Sequence, residues 1–236
     1  MRFPEPLVPG RLLRRYKRFL ADVRLDDGRE ITVHTANPGR MLGLTEPGRR
    51  VYLSRSANLK RKLPYTWEVL RLGRSLVGVN PLLANHLVGE ALAAQAIPEL
   101  SGYEGLQREV VYGTRKSRVD FLLSESTRSE VEPCYLEVKN VSYLSEEGAL
   151  FPDAVTERGR KHLLELRDEA AKGARAVLLF VVQRPEPTWV GPADLIDPVY
   201  AATLRQVVKE GVELLAYRAK VGTRNLRLTE RLPIRL

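Results

Sequence analysis

A single cysteine, Cys134, in 236 residues excludes an internal disulfide and any zinc site built from cysteines. Such sparing use fits a reducing cytoplasm. Histidine is also scarce: His34, His86 and His162 lie far apart, without zinc-ligand spacing. The 17 glycines form no GxGxxG or Walker loop, so nothing supports a bound nucleotide cofactor. No apolar run approaches the roughly 20 residues that span a bilayer. Met1 is followed by Arg2, Phe3 and Pro4 with no apolar stretch behind them, so no secretory signal is read. The expectation is a cytoplasmic protein without a membrane partner. Internal repeats and low-complexity tracts are absent as well. What remains is an ordinary soluble composition, 44% hydrophobic, which argues against disorder.

The charge is distributed unevenly. Residues 1–80 hold 17 Lys and Arg against 7 Asp and Glu, whereas the remaining chain holds 21 against 22. The whole basic excess therefore sits on the first third. Cations of this density displace counterions from a phosphate backbone and bind it with little regard to sequence. A solvated basic surface, or one that meets ribosomes or anionic membranes, would look the same by charge alone.

The first third reads as β structure. A long run from Gly10 to Leu25 interleaves Tyr16, Phe19, Leu20 and Val23 with Arg14, Arg15, Lys17 and Arg18. Asp26-Asp27-Gly28 is a turn, and Arg29 to His34 is its return strand. Asn37-Pro38-Gly39 is a second turn signal; Val51–Ser56, Thr66–Leu72 and Ser75–Val79 are further strands. Short strands at this spacing suggest a small closed barrel, and a five-stranded barrel of the OB type would fit. From Leu82 to Ala94 apolar residues recur at helical spacing, which puts a domain boundary near Asn80-Pro81. Strands follow at Leu106–Tyr112, Arg118–Leu123 and Cys134–Val141, then a helix over about Pro152–Ala171 and a buried strand at Ala176–Gln183. A helix at Pro198–Glu210 and a strand at Val212–Ala219 complete an α/β domain with a mixed sheet.

The chemistry concentrates at Asp120 and at Glu137-Val138-Lys139. Alternate strand residues share a face, so Glu137 and Lys139 point together while Val138 points away. Asp120 lies on the preceding strand of a hairpin and can approach Glu137 across it. Two carboxylates among apolar residues are costly to bury unless a cation lies between them. Mg²⁺ or Mn²⁺ suits oxygen donors, and a lysine beside it can orient an attacking water and offset charge on phosphorus. Glu90, on the helix before the hairpin, is a candidate third ligand; the Val138 carbonyl is a fourth. Arg158 and Lys161 on the following helix are candidate phosphate contacts, although a solvated helix face explains them equally. A surface ion pair between Glu137 and Lys139 would account for that pair alone. His86 reads as a packed or capping residue. His162, after Lys161, lies on the phosphate side, with a packing role the more natural one. Cys134 reads as a small core residue.

The order Asp…Glu-x-Lys with a preceding helical Glu resembles the PD-(D/E)xK nuclease superfamily. Longer segments carry a more specific resemblance: Tyr16-Lys17-Arg18-Phe19-Leu20-Ala21-Asp22-Val23, Ser117-Arg118-Val119-Asp120-Phe121, Cys134-Tyr135-Leu136-Glu137-Val138-Lys139 and Phe151-Pro152-Asp153-Ala154-Val155-Thr156-Glu157-Arg158-Gly159 are similar to the sugar fermentation stimulation protein A (SfsA) family over nearly the whole chain. That resemblance implies an N-terminal OB-like β-barrel over 1–80 and a C-terminal α/β restriction-endonuclease-like domain with a mixed sheet over 81–236. It implies nucleic-acid binding, with a regulatory link to maltose metabolism in bacteria. Carried over, Glu90, Asp120 and Glu137 are the metal positions and Lys139 the catalytic lysine. The family's usual Cys-Pro-Asn-Thr-Gly turn is replaced by Thr35-Ala36-Asn37-Pro38-Gly39, so contacts made there are expected to differ.

Two functions follow as expectations. One is a Mg²⁺- or Mn²⁺-dependent nuclease whose barrel supplies affinity through Arg14, Arg15, Lys17, Arg18, Lys60, Arg61 and Lys62. The other is a DNA-binding regulator with a silent nuclease fold, since folds outlive activities. An RNA- or ribosome-associated role is a third, weaker reading. DNA is favoured over RNA as the ligand, and a homodimer is a compatible assembly. Of the aromatics among the basic residues, one or two should be exposed and able to stack on bases.

Overall fold

The basic run from Gly10 to Leu25 does not form one strand. In the computed structural model, which describes residues 1–114, 117–124, 132–146 and 148–236, it folds back as a hairpin of β1 (Val8–Tyr16) and β2 (Leu20–Leu25). The physical reason lies in the inward positions. Leu12 on β1 and Ala21, Val23 and Leu25 on β2 alternate into a core, while Lys17, Arg18 and Phe19 face solvent and make the turn. β3 (Glu30–His34) returns beside β2 through Gly28, whose φ of 87° favours glycine. β4 (Arg50–Arg55), β5 (Tyr65–Leu72) and β6 (Ser75–Gly78) extend the sheet in the order β3-β2-β1-β4-β5-β6. A parallel pairing of His34 with Thr66 joins β3 to β5 and closes a five-strand circuit, with β6 outside it. Leu12, Val23, Val33, Val51, Leu53, Trp67 and Leu70 fill the closed interior. This is an OB-type barrel.

The second half is built on a six-stranded mixed sheet. α1 (Leu82–Ala93) leads to β7 (Gly105–Tyr112), β8 (Ser117–Ser124) and β9 (Cys134–Val141). A small sheet follows, with β10 (Tyr143–Ser145) and β11 (Gly148–Phe151), before α2 (Glu157–Ala170) and β12 (Arg175–Val182). β13 (Trp189–Pro192), α3 (Pro198–Lys209), β14 (Glu213–Val221) and β15 (Leu226–Arg231) end the chain. The large sheet runs β15-β14-β12-β9-β8-β7; β9, β12 and β14 are parallel and the outer pairs antiparallel. Two hydrophobic layers cover it. Phe121, Leu136, Val138, Leu179 and Tyr217 face α1, whereas Leu178, Phe180 and Ala216 face α2 and α3.

The helix expected from Pro152 begins instead at Glu157. Residues Gly148–Phe151 are strand β11, the Phe151–Pro152 bond is cis, and Thr156 caps the helix by accepting the Gly159 N–H at 3.0 Å. β10, β11, β13 and β15 were not read from the sequence because they are short or half-exposed and lack clear alternation. The segment before β1 crosses the molecule: Phe3 and Leu7 are buried in the α1-side core together with Val69 of β5. Cys134 is fully buried there, and burial pushes its thiol up to about 12, as a core residue requires. No helix among the described residues is long and apolar enough to cross a membrane.

Candidate active site

Strands β8 and β9 pair as an antiparallel ladder only as far as Phe121 with Leu136. Beyond that register the strands part, and Asp120 fills the gap with its side chain. Its Oδ2 accepts the Val138 N–H at 2.7 Å, and its Oδ1 accepts Asn85 Nδ2–H from α1 at 2.6 Å. A strand residue directs its N–H and C=O to the same edge, so the Val138 carbonyl faces the same gap. Burial raises the Asp120 carboxyl to about 6, with the nearby Glu137 charge adding to the rise.

Glu137 is 2% exposed on the α2 side of β9. Its Oε1 accepts Lys139 Nζ at 2.5 Å and is also in contact with His162 Nδ1. His162 Nε2 accepts Arg158 Nε–H at 3.3 Å, which assigns the ring proton to Nδ1 and makes His162 the donor to Glu137. Burial pushes the Glu137 carboxyl upward, but Lys139 and His162 outweigh it and hold the group below its usual range. Glu137 Oε2 is buried without a hydrogen-bond partner. That orphan is the kind of atom a cation or an ordered water satisfies.

The sequence-derived residues divide clearly. Asp120, Glu137, Val138 and Lys139 come together. Glu90 does not join them: α1 turns Leu83, Leu87, Val88 and Ala91 onto the sheet, which leaves Glu90 on the outer face. There its carboxylate is 57% exposed and pairs with the Met1 amine. Moreover, α1 covers the Val138 face of the sheet, opposite to Glu137. Among the described residues no three His, Cys, Asp or Glu side chains are grouped to hold a metal. Asn85, one and a half turns earlier on α1, is the side chain that reaches Asp120. His86, expected to be packed, is exposed. His162 is buried in the site rather than on a phosphate-facing surface. Its i, i+4 spacing from Arg158 was the available signal.

The basic residues also separate into two kinds. Arg14 is tied to Asp22 at 2.7 Å, with its guanidinium 4.7 Å from the Tyr16 ring centroid. Arg15 is structural: its Nη2 donates to the carbonyls of Arg18, Asn37 and Gly39 at 2.7, 2.8 and 2.9 Å. Lys17, Arg18, Lys60 and Lys62 are exposed and make no ion pair with the described residues, and half-exposed Arg61 makes none either. Arg158 is exposed and bonded to His162, and Lys161 has a partner of its own.

The turn after β3 has a role the sequence reading left open. Asn37 Nδ2 donates to the Val79 carbonyl at 3.1 Å, and the Met41 N–H donates to Asp153 Oδ2 at 2.9 Å. A Cβ on residue 39 would collide with the Asp153 carboxylate, so only glycine allows this approach. Gln183 completes the seam by donating to the Asn80 carbonyl at 3.0 Å and to Asn140 Oδ1 at 2.7 Å, next to Lys139. The barrel is thus clamped to the strand end and the helix entry that carry the site.

Comparison with known proteins agrees with both halves. Residues 13–79 match the SfsA N-terminal OB domain, and residues 82–225 match the sugar fermentation stimulation protein RE domain. This chain belongs to the SfsA family. A sugar fermentation stimulation protein homolog of Geobacter sulfurreducens is 53% identical over 99% of this chain and 98% of its own length. A homolog of the same name from Maricaulis maris is 52% identical over 94% and 93%. The solved structure described as Pyrococcus furiosus SfsA in complex with Ca²⁺ has a TM-score of 0.89 at 26% identity, covering 100% of this chain and 98% of that one.

Proposed function

We propose that this SfsA-family protein is a divalent-metal-dependent nuclease whose OB barrel holds the nucleic acid. One observation carries the reading: where β8 and β9 part, Asp120 lies near enough to Glu137 and Lys139 to feel their charges, and Glu137 Oε2 is buried without a partner. The donors fit a hard cation such as Mg²⁺ or Mn²⁺. Mg²⁺ commonly takes one or two carboxylates and completes its shell with water and substrate phosphate, so two carboxylates and the Val138 carbonyl suffice without Glu90. The Ca²⁺ in the Pyrococcus relative belongs to the same class of oxygen-seeking ions. When bound, such an ion polarises a phosphoryl oxygen and lowers the pKa of a water.

The chain's own groups supply the rest. Asn85 and the Val138 N–H fix the Asp120 carboxylate, and His162 fixes that of Glu137. Lys139 Nζ, released from Glu137 when that carboxylate is otherwise engaged, orients the attacking water and offsets the charge that builds on phosphorus. Arg158, exposed on the first turn of α2, is the phosphate contact of this reading. The experiment is cleavage of labelled single- and double-stranded DNA and RNA with Mg²⁺ or Mn²⁺. Lys139→Ala should lower cleavage at least 100-fold with binding nearly intact, whereas Glu90→Ala should leave cleavage within about twofold. Full activity in Lys139→Ala removes the assignment.

A second reading keeps the fold as a catalytically silent DNA-binding regulator of sugar metabolism. The outward position of Glu90 and the name shared by the relatives favour it. Binding without cleavage under every metal tried is its signature.

A further inference from the structure

We infer that Phe19, with the His34 ring behind it, is a base-stacking platform, and that the ligand of the barrel is single-stranded nucleic acid. This rests on the barrel being the nucleic-acid-binding part of the molecule. Phe19 is 43% exposed and is the only aromatic among the exposed large hydrophobics of the described residues. Its ring lies parallel to His34, with 11° between planes and centroids 6.4 Å apart. The neighbouring strands fix this pair: Leu20 is in register with His34, and the Thr35 N–H donates to the Phe19 carbonyl at 2.9 Å.

The backbone presents the pair at some cost. Lys17 and Arg18 have φ of 46° and 63°, left-handed values rare in residues with side chains. Arg15 holds that turn through the Arg18 carbonyl. Strain retained at an exposed tip points to use of the tip. The surrounding charge points to a polyanion. Elsewhere on the barrel several arginines are neutralised, Arg24 by Glu30, Arg29 by Asp27 and Arg50 by Asp26, while exposed Arg55, Arg71 and Arg74 make no ion pair with the described residues. Around Phe19 the cations Lys17 and Arg18 make no ion pair with the described residues, and Arg61 makes none either, although the buried Glu68 carboxylate feels its charge. Arg61 reaches His34 electrostatically and, after burial, helps keep that ring neutral.

A flat apolar face flanked by Lys17, Arg18 and Arg61 matches one kind of partner. A base offers a π-face only when it is out of the helical stack; in a duplex both faces are covered by neighbours. The platform therefore selects unpaired nucleotides without reading sequence. It lies on the turn that Arg15 links to Asn37 and Gly39, the loop docked against Asp153 ahead of α2. A strand held at Phe19 can run along that loop toward Arg158 and the split between β8 and β9.

The test is fluorescence anisotropy with the full chain in EDTA, so that cleavage plays no part. Probes are labelled oligo(dT) and oligo(U) of about 20 nucleotides, long enough to exceed one barrel's footprint, and a hairpin duplex of equal phosphate count. Expected is tighter binding of the single strands than of the duplex. Phe19→Ala, with an unchanged melting temperature, should weaken the single strands about tenfold, as loss of one stack does, and the duplex less than twofold. Phe19→Trp should retain affinity, with emission quenched by oligo(dT). Equal loss for all probes in Phe19→Ala, or no loss, overturns the platform while leaving the barrel a binder. No binding of any nucleic acid overturns both readings, as does Phe19-dependent binding to phosphatidylglycerol vesicles in its place. Binding of oligo(dT) and oligo(U) alike supports a platform indifferent to the sugar.

Discussion

Folding disfavours the charged form of Asp120. Its carboxyl stands at about 6 rather than 3.8 because it is buried and faces Glu137. The folded chain therefore binds its proton more tightly than the unfolded chain does. This contribution to stability is fully present below about pH 4 and is lost as pH rises through about 6. Asp120→Asn removes the repulsion, and its amide can still bond the Val138 N–H and a reoriented Asn85. In EDTA near pH 7 the variant should be about 1–2 kcal/mol more stable than wild type, a rise of a few degrees in Tm, with the difference shrinking toward pH 4. Mg²⁺ or Mn²⁺ should raise the Tm of wild type and not of the variant. Thermal unfolding with and without metal checks both statements. Lower stability of the variant in EDTA would make Asp120 a structural hydrogen-bond acceptor instead.

At the scale of elements, the entry to α2 carries both the site and the domain junction. Asp153 receives the barrel's 37–41 loop, Thr156 caps the helix, and Arg158 and His162 project from its first turns. Gly39→Ala drives a methyl group into the Asp153 carboxylate. Overpacking of this kind costs about 1–3 kcal/mol. Calorimetry should show a lower Tm, and Lys139-dependent cleavage should fall with it, because the loop and the site share one support. A variant with normal stability and activity would show that the junction yields freely. By sequence, His162 reads as a packing residue. Its i, i+4 spacing from Arg158 is visible there, but that its ring meets Glu137 depends on how α2 lies on β9, a tertiary fact.

For the whole molecule, the asymmetry of charge becomes a directional surface. Several arginines of the barrel are tied to carboxylates or carbonyls, so fewer cations are free than the composition implies. Lys60, Arg61 and Lys62 make no ion pair with the described residues and lie beside the exposed Leu59 in the loop from β4 to β5. Replacing the three with alanine should weaken binding to any nucleic acid. If all three contact phosphates, the slope of log K against log salt should shrink by about 2 for a single strand, since each contact adds about 0.7. A titration series in KCl measures this. An unchanged slope would place the binding face elsewhere.

The strand-rich basic first third, the α/β character of the rest and the Asp120, Glu137-Val138-Lys139 constellation are legible along the chain. Each rests on local periodicity or on the two strands of one hairpin, which a linear reading captures. The turn at Lys17–Phe19 is not legible in the sequence because nothing in it resembles a glycine or asparagine turn; the left-handed backbone at Lys17 and Arg18 goes with the pairing of Tyr16 with Leu20 and the bond from Arg15 to the Arg18 carbonyl. Tertiary structure alone decided that Glu90 faces outward, since only the burial of Leu83, Leu87 and Ala91 against the sheet fixes the rotation of α1. It also decided which cations are free, because whether Arg14 meets Asp22 or Arg50 meets Asp26 depends on how the strands pair. Finally, the parting of β8 from β9 opens the site, and it depends on how two strands diverge under the twist of a sheet.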